Sequence, residues 1–145
     1  MAPRDLTNAP PRSPREELRG LCMLPRMIDI ARAMLPGGTI DEYQIGRGIS
    51  GAVFSAFGIS AAGFVELVRD ASTAEDVAQW LWSCSNVATT ALSRRLQSLT
   101  VADVPAEVRA EFQRFYGGDH PPDRYVFDIL EADDARAFLR TAEPI

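Results

Sequence analysis

The sequence predicts a mainly α-helical protein, a compact orthogonal bundle of six to eight short helices carrying an extended, proline-rich N-terminal arm. Three observations lead there. Apolar residues recur three and four apart in one segment after another, glycine or proline closes most of those segments, and period-two alternation is confined to one brief stretch. With 145 residues and 46% apolar composition, the chain can bury a core without metal or disulfide staples, so residues 13–145 are read as one helical domain following the arm, 1–12.

The arm holds Pro3, Pro10 and Pro11, which deny it both a continuous helix and a paired central strand. It is expected either to pack on the domain or to reach a neighbour. Ser13-Pro14-Arg15-Glu16 reads as a capping box with Pro14 at the first helical position, predicting a short helix to about Gly20. From Leu24 to Leu35, Leu24, Met27, Ile28, Ala31 and Leu35 share a face, and Pro36-Gly37-Gly38 ends the helix. Arg26, Asp29 and Arg32 fall three apart on the other side, which reads as a solvated charge face.

Thr39 to Ile45 is expected to be extended, and no second strand is evident to pair with it. A helix from about Gly51 to Phe57 should stop at Gly58, with Ser60 capping the next, whose inner face carries Ala61, Phe64, Val65 and Val68. Ser72-Thr73-Ala74-Glu75 is a second capping box, before a stripe of Val77, Trp80, Leu81 and Cys84, with Trp82 off the stripe and expected to meet a second layer. Asn86 is the expected cap of a helix to about Leu99, with Ala88, Ala91, Leu92, Leu96 and Leu99 inward. Arg94 and Arg95 lie in its C-terminal half, where the helix dipole favours cations. Pro105 opens a helix to Tyr116 with Val104, Val108, Phe112 and Phe115 as its apolar positions and Gly117-Gly118 as the stop. Phe127, Leu130, Phe138 and Leu139 anchor a last helix expected to begin near Glu131.

Composition then excludes several chemistries. The net charge of −5 opposes nucleic acid as a partner, because counterion release needs a concentrated basic surface. No run approaches the apolar length of a membrane span and no leader precedes the prolines, so no membrane partner and a cytoplasmic setting are expected. All 15 basic residues are arginine, which removes Schiff-base chemistry and a P-loop lysine. Cys22 and Cys84 are expected to be buried, reduced thiols. A single histidine, His120, excludes histidine-cluster metal sites, and the Glu131, Asp133, Asp134 group lacks the spacing of a calcium loop, reading instead as carboxylates at a helix start. Neither metal nor cofactor is expected.

Gly46-Arg47-Gly48-Ile49-Ser50-Gly51 has the spacing of a dinucleotide fingerprint but lacks the strand, long helix and second strand that such a site requires. What remains is a glycine turn feeding a helix N-terminus. It could hold a carboxylate or phosphate with Arg47, or serve only as a chain reversal. His120 would need Asp119 or Asp123 as an orienting carboxylate to act as an acid or base, and otherwise is a surface turn residue.

The order of Asp5-Leu6-Thr7, Pro10-Pro11-Arg12-Ser13-Pro14-Arg15-Glu16 and Leu24-Pro25-Arg26-Met27-Ile28-Asp29-Ile30-Ala31-Arg32-Ala33 resembles the bacterial domain-of-unknown-function family five-zero-six-nine. The likeness returns at Asp41-Glu42-Tyr43 and weakens from Gly46 through Phe57, where relatives carry a more polar stretch. The resemblance implies a fold and a setting but no activity, and it marks the chain as a divergent member with a changed pocket.

Two functions of different class are therefore expected. One is a small-molecule-binding domain, extending to a metal-free and redox-cofactor-free isomerase, cyclase or lyase acting on a small acidic or apolar metabolite, with Arg26, Asp29, Tyr43, Arg47 and Ser50 as the ligand-binding residues. The other is a regulatory or structural interaction module whose partner is another protein or a second copy of the chain. A concave cavity between the glycine turn and the arginine helix distinguishes them.

Overall fold

A computed structural model describes residues 1–117 and 119–142, with side chains through residue 138; the expectations for Gly118 and for the Leu139 side chain lie outside the described residues. The order is β1 (Glu17–Leu18), β2 (Leu21–Cys22), α1 (Leu24–Ala33), α2 (Gly48–Phe57), α3 (Ala61–Asp70), α4 (Ala74–Cys84), α5 (Thr89–Ser98), a 3-10 turn (Val101–Asp103), α6 (Ala106–Tyr116) and α7 (Val126–Ala142). The fold is mainly α, with a single two-stranded sheet among the described residues.

That sheet stands where the sequence suggested a first helix. Arg19 and Gly20 both have positive φ, 51° and 75°, the combination that a two-residue type I′ loop requires, and Leu18 pairs with Leu21 across it. Ser13 does not cap a helix: its Oγ accepts from the Arg15 amide (3.1 Å) and donates to Glu131 (3.0 Å). Ser93 of α5 pins the hairpin, donating to the Gly20 carbonyl (2.6 Å) and accepting from the Cys22 amide (3.0 Å).

Every residue from Leu21 to Ala31 is buried, so α1 runs through the middle of the bundle. Its expected face, Leu24, Met27, Ile28 and Ala31, joins Val53 and Phe57 of α2, Phe64 and Val68 of α3, and Val77 and Leu81 of α4 in the main core. Each large side chain of this kind contributes about 1.5–3 kcal/mol when fully buried. Ile30 and Ala33 on the opposite side form a smaller core with Leu6 of the arm. The arm lies on the domain: Leu6 donates to Thr39 (2.9 Å), Thr39 donates to Arg4 (3.1 Å), and a parallel bridge at Asp5 and Thr39 gives the extended segment its partner.

Of the charge face expected on α1, Arg32 stays half-exposed and donates to the Ala2 carbonyl (2.8 Å), but Arg26 and Asp29 are not solvated. Arg26 is 5% exposed and Asp29 is fully buried, because α1 is covered on both sides and its polar residues must find partners inside. Asp29 accepts from the Arg12 amide (2.8 Å), from Arg12 Nε (3.1 Å) and Nη2 (3.1 Å), and pairs with Arg4 (2.9 Å). Arg26 forms a two-pronged pair with Asp134 of α7 at 2.6 and 3.0 Å.

Several boundaries also move. α2 begins at Gly48 and ends at Gly58, which is left-handed (φ 68°), while Ser60 caps α3 through the Gly63 amide as expected. The capping box of α4 is Thr73 with Asp76, one residue later than Ser72 and Glu75. Its inner face is Val77, Ala78 and Leu81, which leaves Trp80 and Cys84 exposed, Cys84 because it is the last residue of the helix. Trp82 packs on Phe57 with ring centres 5.2 Å apart. α5 starts at Thr89 with no side-chain cap, and Ala88 and Ala91 face outward. α7 starts at Val126, whose amide bonds Leu99 (2.9 Å). Glu131, Asp133 and Asp134 are thus well inside α7, and each is paired with an arginine.

Replacing Asp29 by Asn keeps the shape and removes the anion from two arginines. We expect it to lower stability by about 3 kcal/mol, since breaking one side of a buried pair is costly. Removing the exposed Arg19 of the Arg19 and Glu75 pair should cost less than about 1 kcal/mol. Urea unfolding of the two variants checks the contrast.

Candidate functional site

A cavity of about 710 Å³ opens between α1, the segment that leads into α2, the stretch from Leu99 to Pro105, α6 and α7. Its walls are mainly apolar, with Met23 and Ile30 from α1, Ile49 and Ala52 from α2, Leu99, Val104, Val108, Phe112 and Phe115 around α6, and Val126 and Leu130 from α7. The volume lies in the ordinary range of small-molecule sites.

Of the five residues expected from the sequence, Arg26, Tyr43, Arg47 and Ser50 line this space, and Asp29 does not. Asp29 faces the arm and anchors it, so its role is to hold the segment that covers the far side of α1. Arg26, Tyr43 and Asp134 form one assembly. The Tyr43 hydroxyl donates to Asp134 Oδ1 (3.0 Å), and the Arg26 guanidinium lies 5.6 Å from the centre of the Tyr43 ring. Both oxygens of Asp134 are therefore occupied.

The glycine turn is internally satisfied. Gly46 (φ 93°) and Gly48 (φ 60°) take conformations that strain other residues, and Ser50 Oγ accepts from the Gly46 amide and donates to the Arg47 carbonyl, both at 2.9 Å. Arg47 reaches across the mouth to Glu111 of α6 (2.6 Å). The serine is thus engaged within the turn and the arginine with α6.

Sequence reasoning missed Tyr116, which lines the cavity, and Asp134, which lies outside its lining but holds Arg26 and Tyr43 in place. Asp134 lies four residues after Leu130 and seven after Phe127, on the buried stripe of α7, and a carboxylate at that register was the available signal. Tyr116 closes α6 beside Phe112, ring centres 4.9 Å apart. Partial loss of water raises the pKa of both half-buried phenols. At Tyr43 the Asp134 charge adds to the effect, and at Tyr116, where Arg26 partly opposes it, the value is pushed up to about 12. Both hydroxyls thus stay neutral donors across the physiological range.

His120 lies off this cavity. Its Nδ1 accepts from Arg124 (3.1 Å), its Nε2 is buried without a partner among the described residues, and Phe112 meets the ring edge-on. No carboxylate orients it for acid–base work among the described residues, and none of their side chains forms a metal-binding group of three or more. No helix among the described residues is long and apolar enough to cross a membrane; α2 and α3 together have the composition but meet at a bend of 78°.

α6 supplies a cavity wall with none of its residues buried, between Pro105 and a left-handed Gly117 (φ 69°). Its opening should be the easiest in the bundle, so its amides should exchange with deuterium more than about tenfold faster than those of α1.

In a near-ultraviolet titration, Tyr43→Phe and Tyr116→Phe should each remove a late-ionising phenol. The sign of the stability effect follows: above the unfolded value of about 10 the unfolded chain loses these protons and the native chain keeps them, so stability falls as pH rises from about 10 toward 12.

The family model described as Domain of unknown function (DUF5069) matches residues 8–136. No curated protein matches the chain.

Proposed function

The chain belongs to the DUF5069 family, a domain of unknown function, and on that premise we propose that it binds a small, largely apolar molecule in the cavity between α1 and α6. One observation carries this reading: a space of about 710 Å³ with apolar walls is lined by Tyr43, Phe112, Phe115 and Tyr116, so a bound ligand meets a largely apolar, aromatic surface. Arg26 acts by fixing Asp134 and Tyr43, and Arg47 by joining the rim to α6.

Binding is favoured over turnover. The buried carboxylate behind Arg26 and Tyr43, Asp134, is saturated by those two residues and is no free base. If the ligand is also converted, we propose the chemistry of a cofactor-independent isomerase, cyclase or lyase, with no metal. The setting we propose is a bacterial cytoplasm. The interaction-module reading draws on exposed Trp80 and Phe115, which would meet another protein or a second copy.

A thermal-shift screen of neutral, acidic and basic apolar metabolites tests the reading. A ligand at about a hundred times its dissociation constant adds roughly 2.7 kcal/mol of stability and raises the melting temperature by several degrees. The shift should vanish in Ala52→Phe, which fills the cavity from α2. A flat screen combined with concentration-dependent self-association would favour the interaction module.

A further inference from the structure

We infer that the ligand of this cavity is a hydrophobic organic cation, an amine or quaternary ammonium on an apolar body; the inference rests on the binding reading above. The argument begins with the charges on the wall. Both cations there have carboxylates of their own, Arg26 with Asp134 and Arg47 with Glu111. The carboxylates of Asp41, Glu42 and Asp103 also line the cavity, and none has a cationic partner among the described residues. Among the described residues Asp103 accepts only from Thr100, whose amide and hydroxyl it caps (2.9 and 3.1 Å). The wall therefore keeps uncompensated negative charge at its mouth in a chain already at −5. Low-dielectric walls focus that field on whatever enters.

The second line of argument comes from the rings. Tyr43, Phe112, Phe115 and Tyr116 all line the space, and aromatic faces attract cations that have lost part of their water. The site already contains one such contact, the Arg26 guanidinium over Tyr43. An inorganic cation does not fit, because no three side chains among the described residues gather as metal ligands and the walls are apolar. An anion would meet unpaired carboxylates, with both wall arginines already engaged. An organic cation satisfies all of these together.

Phenylbutylammonium, phenylbutanol and phenylbutyrate share one apolar body and differ in head-group charge, so calorimetric binding of the three to the full chain tests the inference. The ammonium should bind about three to ten times tighter than the alcohol, with the carboxylate weakest, and this spread should shrink in about 0.5 M sodium chloride. The double variant Asp41→Asn, Glu42→Gln should bring the ammonium-to-alcohol ratio toward one. Both positions are exposed, and Asn tolerates the left-handed backbone at residue 41 (φ 56°), so the variant should fold. If the alcohol binds and the ammonium binds no better, or the carboxylate binds best, the cation inference fails while the cavity remains a binding site. If none of the three binds, the binding reading fails and the inference with it.

Discussion

The structure depends on one helix that runs through the core while carrying two buried charges. α1 passes through the centre of the bundle, and its neighbours must deliver counter-charges to Arg26 and Asp29 or leave ions stranded in a poor dielectric. The arm answers for Asp29 with Arg4 and Arg12, and α7 answers for Arg26 with Asp134. These pairings hold the arm and α7 against the same polar face of α1, where Arg26 also reaches the Arg12 carbonyl. Packing alone would set the distance between these elements, and the pairs also set their register.

The absence of lysine fits this arrangement. A guanidinium presents a planar fork of donors, so Arg26 meets both oxygens of Asp134 while its Nη1 also reaches the Arg12 carbonyl (3.3 Å). The same pair orients Tyr43, whose ring and hydroxyl both belong to the assembly. The cavity thus has a rigid side formed by α1, α7 and Tyr43. Facing it is a looser side formed by α6, which holds no buried residue and meets the rim through an exposed ion pair. Such a contrast suits a site that a ligand enters past its least stable wall.

Much of the fold was legible in the chain. The apolar stripes of α1 and α3, the left-handed stop of α2 at Gly58 and the Ser60 cap all follow from local spacing and residue chemistry. The first helix did not, because Ser-Pro-Arg-Glu satisfies a capping pattern, whereas the two left-handed residues at Arg19-Gly20 and the clasp of Ser93 favour a hairpin. α7 was read as starting too late, since the docking of Val126 on Leu99 leaves no mark in the local pattern. Of the residues the sequence assigned to ligand binding, Arg26, Tyr43, Arg47 and Ser50 line the cavity. Asp29 was assigned to the site and belongs to the arm instead; the clue was Ile30 and Ala33, apolar residues on the supposed polar side of its helix.

The sequence by itself determined helical content, the central apolar helix, the lack of lysine chemistry and a family without a known activity, because each follows from composition, nearest-neighbour spacing or the matched pattern of the chain. Only the tertiary structure decided which charges are buried, which arginine meets which carboxylate, and that a cavity lies between α1 and α6. The physical reason is that burial and pairing are properties of two surfaces brought together. Arg26 and Asp134 are 108 positions apart, and no local rule marks either as the partner of the other.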